Sequence, residues 1–193
     1  MMSWLEADAN ATSQDWIVAF WHHPPYSHGS HNSDNPADSG GRLFAVREAA
    51  LPILEAAGVD LVLTGHSHVY ERSYLLHGHY GTSDTLVSAM ILDAGDGRPS
   101  GDGAYAKPGL EGAVYAVAGS SALQGGGTLD HPAMFVSLAR LGSMVLDFDG
   151  LRLDAAFLTE TGEVLDHFTL VKTHEIFADG FESGDTTAWG EAE

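Results

Sequence analysis

Two largely apolar runs, the continuous Trp16–Trp21 and Val59–Thr64 with Asp60 within it, dominate the first half of the chain. Each is β-rich, and each reads as a strand covered on both faces, because a strand with one wet face alternates apolar with polar residues. Upstream, Ser3 and Glu6 form a capping-box pattern for a short helix through about Thr12. Between the runs, His22 to Gly41 is a long polar loop without periodicity, of the kind more often functional than filler. Arg42 to Ala50 reads as a helix, and Pro52 opens a second helical stretch that ends at Gly58, a C′ glycine. Strand, helix, strand implies a right-handed parallel crossover.

The pattern changes after Arg72. Asp93 to Gly103 is a Gly/Asp loop whose acidic spacing weakly resembles a calcium loop but lacks the final glutamate of an EF-hand. Short strand-like segments follow at Ala113–Ala118, Met134–Leu138, Ser143–Phe148, Leu151–Leu158 and Val164–Val171. Asp149-Gly150 is a two-residue hairpin signal and Thr161-Gly162 a second turn. This half therefore reads as an antiparallel meander added to the parallel unit. The sequence divides into a folded region, 1–172, and an acidic, turn-rich tail, 173–193, whose Phe177, Phe181 and Trp189 are too sparse to make a core.

Composition narrows the function classes. With 193 residues and 44% hydrophobic content, the chain can bury a substantial single core. Its 27 acidic residues against 8 basic ones give a net charge of -19. That argues against nucleic acid as a partner, since phosphate affinity comes from Lys and Arg, and against docking on anionic membranes. No run approaches the roughly 18 apolar residues of a membrane span. The absence of cysteine excludes disulfides, thiolate metal sites and a cysteine nucleophile. The first residues carry no signal-peptide pattern.

The candidate chemistry lies in the histidines. Eight of the eleven fall in two groups: His22, His23, His28 and His31, then His66, His68, His77 and His79. His22 directly follows the first apolar run, and His66 the second, after Gly65. Adjacent parallel strands ending in histidines would build a metal site on the sheet's carboxyl edge, where open α/β sheets bind their ligands. In an extended segment His66 and His68 would face the same side, about 6.5 to 7 Å apart. Each could then reach a different metal of a pair about 3.5 to 4 Å apart. Gly65 would let the backbone approach closely, and Pro24-Pro25 would rigidify the exit. His23 is free to point away, while His77 and His79, without a preceding strand, read as surface residues. Glu71 and Arg72 read as structural, paired with each other or orienting the ligands. No G-x-S-x-G elbow and no phosphate loop follows a strand. Gly125-Gly126-Gly127 reads as a flexible turn.

At His22-x-Pro24 and Gly65-His66-x-His68-x-Tyr70-Glu71-Arg72 the sequence resembles the calcineurin-like metallophosphoesterases, and more narrowly the purple acid phosphatase group. Asp130-His131-Pro132-Ala133-Met134, Leu141-Gly142-Ser143 and Leu151-Arg152-Leu153-Asp154 resemble the C-terminal part of bacterial members, so the likeness covers roughly Trp4 to Lys172. The resemblance implies an α/β fold, the C-terminal half of an α/β/β/α sandwich. It implies that His22 and His66 share one metal and His68 holds the other, with His31, and His28 second, contacting phosphate and assisting the leaving group. The metals implied are two divalent or trivalent ions, Fe, Zn or Mn, and the substrate a phosphate monoester.

The family's N-terminal motifs, which supply two aspartates, a tyrosine and an Asn from a G-N-H string, do not occur in the 21 residues before His22. The resemblance therefore implies a partial catalytic domain in residues 1–172, with an N-terminal half expected to pack on it. The segment Phe177 to Gly184 is similar to C-terminal segments of some exported bacterial proteins, implying a secreted or envelope location. Two other readings are a catalytically incomplete fragment and a calcium-binding extracellular module built on Asp93 to Asp102.

Overall fold

The computed structural model describes residues 1–173. Helix α1 (Met2–Ala11) leads into strand β1 (Val18–Trp21), and α2 (Arg42–Ala56) leads into β2 (Leu61–Thr64). Then come β3 (Tyr70–Ser73), β4 (Leu75–Leu76), β5 (Ile91–Asp93), β6 (Tyr105–Pro108), β7 (Val114–Ala118) and β8 (Met134–Leu138). The last three strands are β9 (Gly142–Asp149), β10 (Arg152–Thr159) and β11 (Val164–Thr173).

The first sheet has the order β1-β2-β7-β3-β8, with β1, β2 and β7 parallel and β3 antiparallel to both its neighbours. The second has the order β6-β11-β10-β9, in which β9, β10 and β11 form the expected antiparallel meander and β6 joins in parallel. β7 and β8 depart from that meander: β8 pairs with β3 at the edge of the first sheet, and β7, whose first four residues are buried, needs cover on both faces and enters its centre. Alternation along the first sheet sends Val62, Tyr115 and Val117 into one core with α2, and Leu61, Leu63 and Val114 into a second core against the other sheet.

Several local expectations are corrected. The capping box does not form: the residue before α1 is Met1, without a side-chain cap. The two helical stretches are one helix running through Pro52, because Leu43, Arg47, Ala50, Leu51 and Leu54 make an unbroken buried stripe. Gly58 does follow the helix with φ +82. β1 is an edge strand, and Phe20 is 81% exposed, so this run is not covered on both faces. The β9–β10 loop is Gly150-Leu151, one position later than expected, with Asp149 paired to Arg152 and Gly150 at φ +54.

The Tyr70-Glu71-Arg72 string is strand β3. Tyr70 and Arg72 face the second sheet, where both bond Asp166 on β11, while Glu71 faces the opposite side. The Glu71–Arg72 ion pair therefore does not form. Among the described residues no helix is long and apolar enough to cross a membrane. The acidic tail and its Phe177, Phe181 and Trp189 lie outside the described residues.

Candidate metal centre

β1 and β2 lie side by side in parallel, with Trp21 opposite Thr64, so the residues after each emerge on the same edge. The His22 carbonyl accepts the Gly65 N–H at 3.1 Å, holding the two exits together. His22 Nε2 and His66 Nδ1 stand 2.9 Å apart. His23 joins them, its ring centroid 4.6 Å from that of His66. A donor atom from each of the three lies within 4.8 Å of the others.

The other nitrogen of His66 faces a second group. Its Nε2 is 2.6 Å from Ser39 Oγ, and its ring stacks on His31 with centroids 3.9 Å apart. His31 Nδ1 is 2.8 Å from Asp38 Oδ1, and His31, Asp38 and His66 form another set of converging donors. His66 thus lies between two three-donor groups. Its backbone carries the strain of that position: φ is +61, a left-handed conformation that non-glycine residues seldom adopt. Such strain is typical of functional loops.

Electrostatics set the protonation states. Burial first, then the facing His31, His23 and His22, push the His66 pKa down to about 4. Burial likewise lowers His23. Asp38 is partly desolvated, which opposes its charge, yet hydrogen bonds from the Asn32 N–H, Ser39 and His31 hold its pKa down at about 2. Burial thus favours the neutral form of His66 and His23, beside a firmly ionised Asp38 carboxylate.

Other expected residues go elsewhere. Residues 65–69 are not extended, since two i to i−2 hydrogen bonds, Ser67 N–H to Gly65 and Val69 N–H to Ser67, fold the segment on itself. His68 consequently does not share a face with His66, and it joins no three-donor group among the described residues. The turn is made at His66, not at Gly65, where a Cβ would make only ordinary contact with His22. His28 turns away from His31 toward Asp34 and Asp130. His79 is fully buried and stacks on Tyr26, correcting its reading as a surface residue, whereas His77 is partly exposed beside Glu55.

The calcium-like loop spends its carboxylates on its own backbone. Asp93 accepts the Gly95 N–H, and Asp96 accepts those of Arg98 and Asp102. Among the described residues it contributes to no three-donor group. Gly125-Gly126-Gly127 is not a free turn either: Gly125 N–H bonds the His68 carbonyl, and a Cβ on Gly127 would collide with the His28 and Gly29 carbonyl oxygens. The residues that sequence reasoning missed are Asp38 and Ser39. Both sit in an aperiodic polar loop, where only folding reveals proximity.

Residues 2–70 match the family model for calcineurin-like phosphoesterases. Over this stretch the chain is similar to calcineurin-like phosphoesterases, and its relatives include purple acid phosphatases. It is 36% identical over 99 residues to purple acid phosphatase 18 of Arabidopsis thaliana, covering 49% of this chain and 20% of that protein. It is 39% identical over 87 residues to an acid phosphatase of Aspergillus ficuum, covering 44% of this chain and 12% of that protein. The chain thus spans a fifth or less of these phosphatases. In fold, it matches the purple acid phosphatase PPD1 of yellow lupin (Lupinus luteus) seeds with a TM-score of 0.66 at 18% identity, over 98% of this chain and 31% of that one. The phosphatase likeness extends in fold over both sheets and in sequence over about half the chain.

Proposed function

We propose that the chain carries one side of a metal-dependent phosphoesterase site that hydrolyses phosphate monoesters. The observation that carries this reading is the meeting of His22 Nε2 and His66 Nδ1 at 2.9 Å on the exits of two parallel strands. The phosphatase names of its relatives support it. The donors fit a transition metal: imidazole nitrogens suit such ions, His66 is held neutral by burial, and Asp38 adds a carboxylate. His22, His23 and His66 would hold one ion, of iron, zinc or manganese. Such an ion, when bound, polarises a phosphoryl oxygen and makes water more acidic.

The chain's own residues then do the positioning. Asp38 accepts from His31 Nδ1, which fixes the tautomer and leaves Nε2 to meet substrate. With a second proton on Nε2, His31 would be placed to give that proton to the departing alkoxide, the Nδ1–H staying on Asp38. His28, held by two aspartates, acts on loop shape in this reading rather than on phosphate. His68 is proposed to serve a second metal, with carboxylates from outside residues 1–193. The open edge of β1, with Phe20 exposed, is where further strands of a longer polypeptide would pair.

A second reading, a catalytically incomplete unit, is favoured by the carboxylates: the two groups around His66 contain only Asp38. The test is hydrolysis of p-nitrophenyl phosphate by metal-supplemented protein, beside His22→Ala and His66→Ala. Loss of turnover in both variants supports the phosphoesterase reading. Equal turnover in all three overturns it, and no turnover in protein that binds metal tightly supports the incomplete unit.

A further inference from the structure

Asp34 lies outside the His66 groups and is met by two histidines from distant parts of the chain. His28 Nε2 is 3.2 Å from Asp34 Oδ2, and His131 Nε2 is 3.9 Å from the same oxygen. All three donor atoms lie within 4.8 Å of one another. Donors about 2.1 Å from a tetrahedral ion stand about 3.4 Å apart, so a small cation fits with modest side-chain adjustment. We propose that His28, Asp34 and His131 form an additional cation site, taking zinc or a similar transition metal, separate from the His66 groups and independent of the phosphoesterase reading.

One observation calls for a ligand. His131 is 2% exposed, and its Nε2, directed at Asp34, has no hydrogen-bond partner. A buried polar atom left unpaired is unfavourable, and coordination would satisfy it. The surrounding groups are arranged as they are around bound metals. Asp130 Oδ1 sits 2.9 Å from His28 Nδ1 and accepts its N–H, which leaves Nε2, the atom facing Asp34, for the cation, the proton shared with Asp34 being released on binding. Asp34 Oδ1 accepts from the Ser83 N–H at 3.1 Å and from Arg47 at 3.3 Å, leaving Oδ2 for the cation. Two carboxylates, Asp34 and Asp130, against the Arg47 guanidinium leave the cluster net negative.

Imidazole with carboxylate suits zinc better than calcium or magnesium, which prefer all-oxygen shells. Three protein ligands leave a fourth position for water. The Ala133 N–H approaches His131 Nδ1 at 3.2 Å, so the metal-free ring carries its proton on Nε2. On binding, the cation replaces that proton, the ring proton moves to Nδ1, and the long Ala133 contact is given up. The ion would tie the loop after β1, which also bears His31, to the segment entering β8. It would act as a staple on the wall of the His66 site.

The His66→Ala chain isolates this site, because both other three-donor groups need His66. Cobalt(II) titration of that chain should give one bound ion with the visible bands of four-coordination and a rise in Tm. Adding Asp34→Asn or His131→Gln should weaken binding by more than about tenfold, with the far-ultraviolet circular dichroism unchanged. If His66→Ala does not fold, zinc content of the unmodified chain serves instead, and Asp34→Asn should remove one equivalent. A folded His66→Ala chain that binds no cobalt, or binding or zinc content untouched by Asp34→Asn, overturns the proposal. Phosphatase turnover does not enter these readouts, so the two readings fail separately.

Discussion

Arg72 on β3 donates to both oxygens of Asp166 on β11, at 2.6 and 2.9 Å, and both side chains are fully buried. Tyr70 adds a hydrogen bond to the same carboxylate at 2.8 Å, and Arg98 another at 3.0 Å. This cluster clips the two sheets together directly behind the strand that follows the site histidines. Asp166→Ala would leave a buried guanidinium without its anion. Destabilisation of about 3 to 5 kcal/mol is expected in urea unfolding, and an Arg72→Met/Asp166→Leu double variant should recover much of it.

Removing His66 affects both donor groups at once. The His66→Ala chain should bind zinc at the His22–His23 side more than about tenfold more weakly, whereas His77→Ala, beside Glu55, should leave that binding unchanged. Isothermal titration of the two variants beside the unmodified chain checks this.

Stability should fall on mild acidification. Burial lowers His131 to about 3 and His79 to about 4, both well below the ordinary 6.5. The unfolded chain therefore takes up protons as pH drops through 6.5, while the folded chain does not until about 4 or below. Between about pH 6 and 4, each histidine costs up to about 1.4 kcal/mol per pH unit. Thermal melts across that range should show Tm falling with pH, and a chain carrying His79→Gln should show a shallower slope.

Gly127 packs on the loop of His28. Gly127→Ala meets the Gly29 carbonyl and a φ of +145, so about 1 to 3 kcal/mol of destabilisation is expected. Gly126→Ala, with open space around it, is the matched control and should change stability much less.

Phe20 offers the opposite case. It is exposed on the free edge of β1, and Phe20→Lys should leave stability within about 0.5 kcal/mol. A large loss in denaturant melts would mean that this face is covered in solution.

Much of this was legible from residue order alone. The apolar runs marked β1 and β2, and the strand-end histidines marked the sheet edge where His22 and His66 meet. Periodicity and turn residues carry such information because they act over a few neighbours. Where β7 inserts, which side chain faces Arg72, and which carboxylate reaches His66 are long-range matters. Asp166 is 94 residues from Arg72, and Asp38 is 28 residues from His66, and no local pattern links either pair. The exposure of Phe20 and the burial of His79 likewise depend on what packs alongside them. Residue order set the local elements and the donor types at the strand ends, through spacing and side-chain type. Tertiary structure decided which histidines face one another, because a turn at His66 separated His68 from it and packing brought Asp38 in.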